Sequence, residues 1–315
     1  MPDHPSFEPR NILCPQDFSE LSDLALKYAF VAARVYGARL SVLHAESFEL
    51  PKYFVPRESN RLVGELAKAR EAAREHLDNH VRQVIGPHQG EIPYSFDIVE
   101  SHPVDGILRT AETKGVDLIV LGTHGYGGFK KLMLGSVAEN VIRHATVPVF
   151  AVRQKVHAFI DTTLSDVLPH LNHILCPVNL TAAAGNALRH ALSLSARFQS
   201  RLTVLFCLES GDSSSRSGKG ERIAQWLREE VGPPARNLEP IVREGHAAEQ
   251  IIAYAREVKV DLIVLAVNHR PFLDGTVFGR TTELVLRYGP VPVLGSPFFS
   301  AAEGSHGSEL TANSR

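Results

Sequence analysis

The chain has 315 residues, room for two domains at about 100–200 residues each. It is 44% apolar and 22% charged with a formal net charge of −2. That balance supports a buried core and gives no broad electrostatic pull toward nucleic acid or an anionic membrane. No run approaches about 18 uncharged apolar residues, so no membrane-spanning helix is expected. The opening "MPDHPSFEPR" lacks the apolar core of a signal peptide. Cys14, Cys176 and Cys207 lie in apolar strand-like runs and form no CxxC, which predicts buried thiols in a reducing, cytoplasmic setting. The fifteen histidines are scattered and form no HExxH motif.

In chain order, Ile12–Pro15 reads as a short strand. Ser19 to Tyr36 follows as a helix, with Leu21, Leu24, Ala25, Tyr28, Ala29 and Ala32 on one face. Ser19 or Ser22 is the expected N-cap and Gly37 the stop. A second strand at Leu40–His44 leads to a long charged helix, Arg57–Ile85, striped by Leu62, Leu66, Ala69, Ala73 and Leu77. Then come a strand at Ser95–Val99, a helix at Val104–Lys114 and a strand at Leu118–Leu121. A glycine-rich loop, a helix at Val137–His144 and a strand at Val147–Val152 complete the series.

The same series is then written again. "NILCPQDFSE" at Asn11 returns as "HILCPVNLTA" at His173, 162 residues on. "HPVDGIL" at His102 returns as "HAAEQII" at His246, and Asp117 and Asp261 both open "DLIVL", 144 residues apart. The second copy is shorter, the loss falling after its second strand. Strands alternating with helices predict α/β domains with parallel, doubly wound sheets covered on both faces. The expected division is 8–153 and 172–296, with a linker at 154–171 holding a short helix and a disordered tail at 297–315. Residues 210–220, "SGDSSSRSGKG", are expected to replace part of the long helix by a flexible loop.

Chemistry concentrates after the fourth strand, where ligands of open parallel sheets lie. The loop from Gly122 exposes backbone amides. It ends at Gly135-Ser136, where a helix begins whose free N–H groups favour a phosphate. A GxxxxGK[ST] motif is absent, the dinucleotide pattern GxGxxG fits poorly, and no GxSxG elbow is present. His124 is expected at the surface, and His102 and His246 at helix entries.

The spacing Gly122-x2-Gly125-x9-Gly135-Ser136 resembles the ATP-binding signature of the universal stress proteins, whose strand blocks "ILCPQDFSE", "RLSVLHA" and "VPVFAV" also resemble. The resemblance implies two tandem, five-stranded, Rossmann-like α/β domains. It implies that Pro15 and Asp17 face a nucleoside and that Ala45 offers backbone groups to an adenine. Gly122 and Gly125 would lie against ribose and phosphates, and Gly135, Ser136 and Val137 would hold the phosphates. ATP, with Mg2+ as a companion, is the implied ligand. At the second copy Gly122 becomes Ala266, Gly125 His269, Ser136 Arg280 and Asp17 Asn179, with Gly279 retained. One intact and one degenerate site are therefore expected, the added side chains crowding the phosphate space. The resemblance further implies an intramolecular pseudo-dimer through the last strands, self-association as a homodimer, and a nucleotide-dependent regulator or sensor. A slow ATPase using His124 or Asp17 and a nucleotide-free dimerisation scaffold stand as alternatives. Neither a nucleic acid nor a membrane is an expected partner.

Overall fold

A computed structural model describes residues 7–46, 59–124, 134–153, 158–165, 168–208, 216–232, 238–268, 270–272, 275–277 and 279–298. The first half runs β1 (Asn11–Pro15), α1 (Glu20–Tyr36), β2 (Arg39–Glu46), α2 (Ser59–Ile85), β3 (Tyr94–Glu100), α3 (Pro103–Thr113), β4 (Leu118–Gly122), α4 (Ser136–His144) and β5 (Val149–Val152). The second half runs β6 (His173–Val178), α5 (Ala182–Phe198), β7 (Arg201–Leu208), α6 (Arg216–Glu230), β8 (Ile241–Glu244), α7 (Ala247–Glu257) and β9 (Leu262–Asn268). A hairpin of β10 (Arg270–Phe272) and β11 (Gly275–Val277), then α8 (Arg280–Tyr288) and β12 (Val293–Phe298), complete it.

Local chemistry sets the helix ends. Ser19 caps α1 by accepting from the Ser22 amide at 3.2 Å, and Gly37 closes the helix at φ 64°. Thr181 repeats this at α5, accepting from the Ala184 amide at 3.3 Å. Phe18 and Leu180, one residue before each cap, both take the left-handed conformation, φ 61° and 57°. The repeated Asp of "DLIVL" proves to be a clamp. Asp117 accepts from the Arg10 and Asn11 amides at 2.8 and 3.0 Å, and Asp261 from the Asn172 and His173 amides at 2.7 and 2.8 Å. Each carboxylate thus ties the start of one strand to the entry of the first strand of its half.

The strands form one ten-stranded sheet in the order β3-β2-β1-β4-β5-β12-β9-β6-β7-β8. Pairing is parallel within each half. The halves join where β5 and β12 run antiparallel, Val293 opposite Ala151 and Leu294 opposite Phe150. This junction covers what would otherwise be two bare strand edges. Both sheet faces carry a core, as expected for buried parallel strands. On one face Leu26, Phe30 and Leu77 of the first half and Leu188 and Trp226 of the second are buried. On the other lie Ile107, Val141 and Ile142 with Ile251 and Val285.

Four segments differ from the sequence reading. The described part of the linker holds no helix. Phe159, Ile160, Leu164 and Leu171 instead bury between the halves as an irregular strap, because their apolar side chains gain more from the core than from a local turn. Part of the segment read as a flexible loop is helical, since α6 starts at Arg216. Burial of Ile223, Trp226 and Leu227 anchors that helix despite its glycines. The hairpin β10–β11 was not anticipated and lies against α4 of the other half. Finally, β12 runs to Phe298, two residues past the expected boundary, because β9 continues beside it to Asn268. Residues 299–315 lie outside the described residues, as do the side chains of Leu62, Leu66 and Ala69. The stripe on α2 is seen from Ala73 onward, where Leu77, Val81 and Ile85 are buried.

None of the three cysteines is in a disulfide; Cys14 and Cys176 are fully buried and Cys207 partly so. Burial pushes the Cys14 thiol up to about 12 and raises that of Cys176 too, so both stay protonated. Among the described residues no helix is long and apolar enough to cross a membrane.

Candidate functional site

In the first half β1 sits between β2 and β4, so connections leave it in opposite directions. Crevices form at such switch points, beyond the carboxyl ends of the strands. A cleft of about 960 Å³ opens there. Pro15 at the end of β1, Asp17 just beyond it, Ala45 on β2, Gly122 on β4, and Gly135, Ser136 and Val137 at the start of α4 all line it. Seven of the eight residues singled out in the sequence therefore converge. The eighth, Gly125, lies outside the described residues, as do Lys130 and Lys131.

The start of α4 points its first turn at this cleft. Gly135 occupies the N-cap position, and no side chain caps the helix. The first-turn amides have no acceptor within the helix. Their partial positive charge is suited to an anion. The loop returns tightly, the Gly135 amide donating to the Thr123 carbonyl at 2.7 Å. A Cβ on Gly135 would stand 3.1 Å from that same oxygen, so backbone crowding explains this glycine.

Gly122 has a different reason. A Cβ there would meet Leu21 of α1, 2.9 Å from its Cγ and 3.2 Å from its carbonyl oxygen. The missing side chain thus makes room for α1. At the corresponding positions the second half has Ala266, packed against the core, and Ala183, a smaller residue than Leu21.

Asp17 is exposed, and its Oδ1 accepts from the Ser19 amide at 3.1 Å and the Ser19 hydroxyl at 2.6 Å. It braces the cap of α1 while lining the cleft. Asn179 accepts from Thr181 at 2.7 Å and keeps the same turn without the charge.

Gln16, Ser22, Thr123 and Glu139, to which the sequence reading gave no binding role, also face the cleft, as does His124. Gln16 is almost fully buried and Thr123 completely so. His124 is half-buried, not the surface residue expected. The tight loop return tucks its ring inward, where Nδ1 meets the Thr123 hydroxyl at 2.9 Å and Nε2 is buried without a partner. Burial, then the charge of Arg153, lowers its pKa and keeps the ring neutral. Arg153 itself is buried at the end of β5 and donates to the Gly289 carbonyl at the end of α8. It ties the cleft end of the first half to the second. Position 16 carried a usable signal, since the repeat pairs Gln16 with Val178, a polar residue against an apolar one at the same strand end.

The equivalent end of the second half is built otherwise. β9 and β12 stay paired as far as Asn268 and Phe298, whereas β4 and β5 part after Gly122 and Val152. The chain then enters the β10–β11 hairpin. Gly279 still precedes α8, and Arg280 is exposed at its first position. His269 lies outside the described residues. His102 and His246 stand at the N-caps of α3 and α7 without a side-chain capping bond, as helix entries. Among the described residues no group of three or more His, Cys, Asp or Glu is placed to hold a metal ion.

Comparison with known proteins agrees with this duplicated architecture. A universal stress protein of Methanocaldococcus jannaschii is 31% identical over 156 residues, covering 46% of this chain and 96% of that one. Another, from Mycolicibacterium smegmatis, is 21% identical over 298 residues, covering 90% of this chain and 95% of that one. The solved structure of a universal stress protein from Archaeoglobus fulgidus is 22% identical and shares the fold, with a TM-score of 0.63 over 91% of this chain and 98% of that one. The family model described as "Universal stress protein family" matches twice, over residues 8–153 and 170–295. With both halves of the sheet accounted for in this way, the chain belongs to the universal stress protein family.

Proposed function

We propose that the cleft of the first half binds an adenine nucleotide, ATP, and that its occupancy sets the state of a regulator in a stress response. The observation that carries this reading is the uncapped start of α4 at a switch-point cleft. Phosphates meet the amides of Ser136 and Val137, beside Gly122 and Gly135. The nucleoside lies toward Pro15, Asp17 and Ala45. Mg2+ accompanies the phosphates, held by them and by water, since the lining carboxylates Asp17 and Glu139 are engaged with Ser19 and Arg143. Bound nucleotide changes partner binding only through different affinity for two states of the chain. Arg153, between the cleft and α8, is placed to carry that difference. The second half, its cleft end closed by longer strands and a hairpin, binds no second nucleotide.

The test uses the full chain purified without added nucleotide. Denaturation followed by chromatography of the released small molecules is expected to yield about one ATP per chain. Recovery of ADP, with turnover on added Mg-ATP, would favour a slow ATPase, for which His124, neutral and with a free Nε2, is the base to replace. No released nucleotide and no binding of Mg-ATP would leave a scaffold. Ser136→Glu gives the matched variant. A glutamate suits a helix start, so the fold persists, but its charge repels phosphate, and affinity is expected to fall at least about tenfold.

A further inference from the structure

Phe18 lies between Asp17, which lines the cleft, and Ser19, which caps α1, in the left-handed conformation at φ 61°. Three imidazoles surround its ring. His44 of β2 stands 4.9 Å away between centroids, and His76 and His80, one turn apart on α2, at 5.0 and 5.1 Å. Hydrogen bonds fix where the proton sits on two of them. His44 Nδ1 donates to the Gln16 carbonyl at 2.8 Å, so a second proton goes to Nε2, which lies 3.9 Å from the Glu46 carboxylate. His80 Nε2 donates to Asp23 of α1 at 2.6 Å, so its second proton goes to Nδ1. His76 is exposed. The carboxylates around the cluster are thus Asp23 from α1, Glu46 from the end of β2 and Asp17 in the turn itself. One turn to either side of the two α2 histidines the helix adds no charge, with Ala72, Ala73, Gln83 and Val84 at those positions.

The turn itself does not require histidine. In the second half Leu180 takes the same conformation, φ 57°, and Phe206 occupies the position of His44, both packed against the apolar core. Apolar groups therefore satisfy this turn, and the first half differs in having rings of the kind that gain charge between about pH 5 and 8. We infer that the cluster is a proton-sensitive device behind the cleft, in which charging of His44, His76 and His80 in mild acid strengthens the binding of a phosphate-bearing ligand. This rests on the nucleotide reading above and adds to it the regulation of that site. The charged rings stay packed, since a cation is attracted to an aromatic ring and Asp23 and Glu46 supply counter-charges. Each ring that charges makes the turn behind the cleft more positive, which favours a polyanion. By reciprocity, a bound polyanion draws protons onto the cluster by the same factor.

The experiment titrates the nucleotide-free full chain with ATP by calorimetry at several pH values from 8 to 5.5. Wild type is compared with the double variant His76→Gln, His80→Gln and with a triple variant that adds His44→Phe. Glutamine keeps a donor for Asp23, and phenylalanine already serves this position in the second half, so the fold is expected to persist, with thermal melting as the check. The terminal phosphate of ATP takes up a proton of its own in this range, equally for every protein. The ratio of wild-type to variant affinity is therefore the readout. It is expected to rise in favour of wild type by about five- to tenfold between pH 8 and pH 5.5, more for the triple variant than for the double. Proton uptake on binding, read as the dependence of the heat on the buffer, is expected to be larger for wild type than for either variant. A merely structural role would lower affinity at every pH and leave the ratio constant. A constant ratio, or one that falls in acid, with ATP still bound, would overturn the role of the cluster alone. Should the triple variant fail to fold, the double variant carries the test. Failure of wild type to bind ATP at any pH would overturn the nucleotide reading itself.

Discussion

The two halves share a sheet order, a pair of capped helices and a pair of aspartate clamps, yet close packing is met by different residues in each. In the first half Leu21 leans over a glycine, Gly122. In the second, the corresponding positions are Ala183 and Ala266. A second exchange flanks the third helix of each half. A Cβ on Gly106 would lie 2.6 Å from the Ser101 hydroxyl and 2.8 Å from Val99, so bulk sits on the preceding loop. Its counterpart is Gln250, and the counterpart of Ser101 is Gly245, at φ 124° with room for no side chain before Gln250. Substitutions in a duplicated chain are thus read in pairs. A lost glycine need not mean a lost ligand. What separates the halves functionally is the end of the sheet, open after Gly122 and continued after Ala266.

The comparison can be broken first with pH. His190 on α5 is held by burial, and secondarily by Arg189, with its pKa lowered to about 4, near the buried Ser296 hydroxyl at 3.0 Å. The corresponding residue of the first half is Tyr28, which does not titrate in this range. A histidine with a depressed folded pKa binds fewer protons than the unfolded chain between pH 4 and 6.5. Stability therefore rises with pH across that window and is complete above it. The expected loss on acidification is on the order of 3 kcal/mol. Urea denaturation followed from pH 7 to 4 should show it, and His190→Gln should flatten the slope; an unchanged slope would mean that other groups carry it.

A smaller effect is expected from transplanting one half's packing into the other. Gly122→Ala alone forces the new methyl against Leu21 and should cost about 1–3 kcal/mol. Adding Leu21→Ala, the arrangement of the second half, should make the combined loss smaller than the sum of the two single losses. A double-mutant cycle in urea measures the coupling, and simple additivity would refute the pairing.

The caps sharpen the likeness instead. Ser19→Ala and Thr181→Ala should each cost about 1 kcal/mol, since each removes the acceptor for one first-turn amide. Ser19→Ala also removes a hydroxyl bond to a carboxylate, Asp17, whereas Thr181→Ala removes one to a neutral amide, Asn179, so the loss at Ser19 should be the larger. Thermal melts of both variants would settle the order.

Much of this was legible before any coordinates. Short apolar runs and period-3.6 patterns place the strands and helices, Ser19 and Gly37 mark the ends of α1, and the repeat fixes which residues correspond. The lining of the cleft was legible wherever a residue carried a local signature, as at Gly135-Ser136, which opens a helix. Gln16 and His124 escaped, because nothing local says that a glutamine borders a cleft or that an imidazole is turned inward.

The sequence by itself determined the duplication, the α/β alternation, the helix starts and the strand ends where a cleft must lie, because each depends on residues within a few turns of one another. Tertiary structure alone decided the antiparallel register in which β5 meets β12, that Arg153 reaches Gly289 and that the hairpin replaces a loop. It also decided that the space beside Gly122 belongs to Leu21 and that three histidines meet around Phe18. These depend on groups brought together from distant parts of the chain. Their directions in space, which no periodicity encodes, set which contacts are made and which groups are left for a ligand.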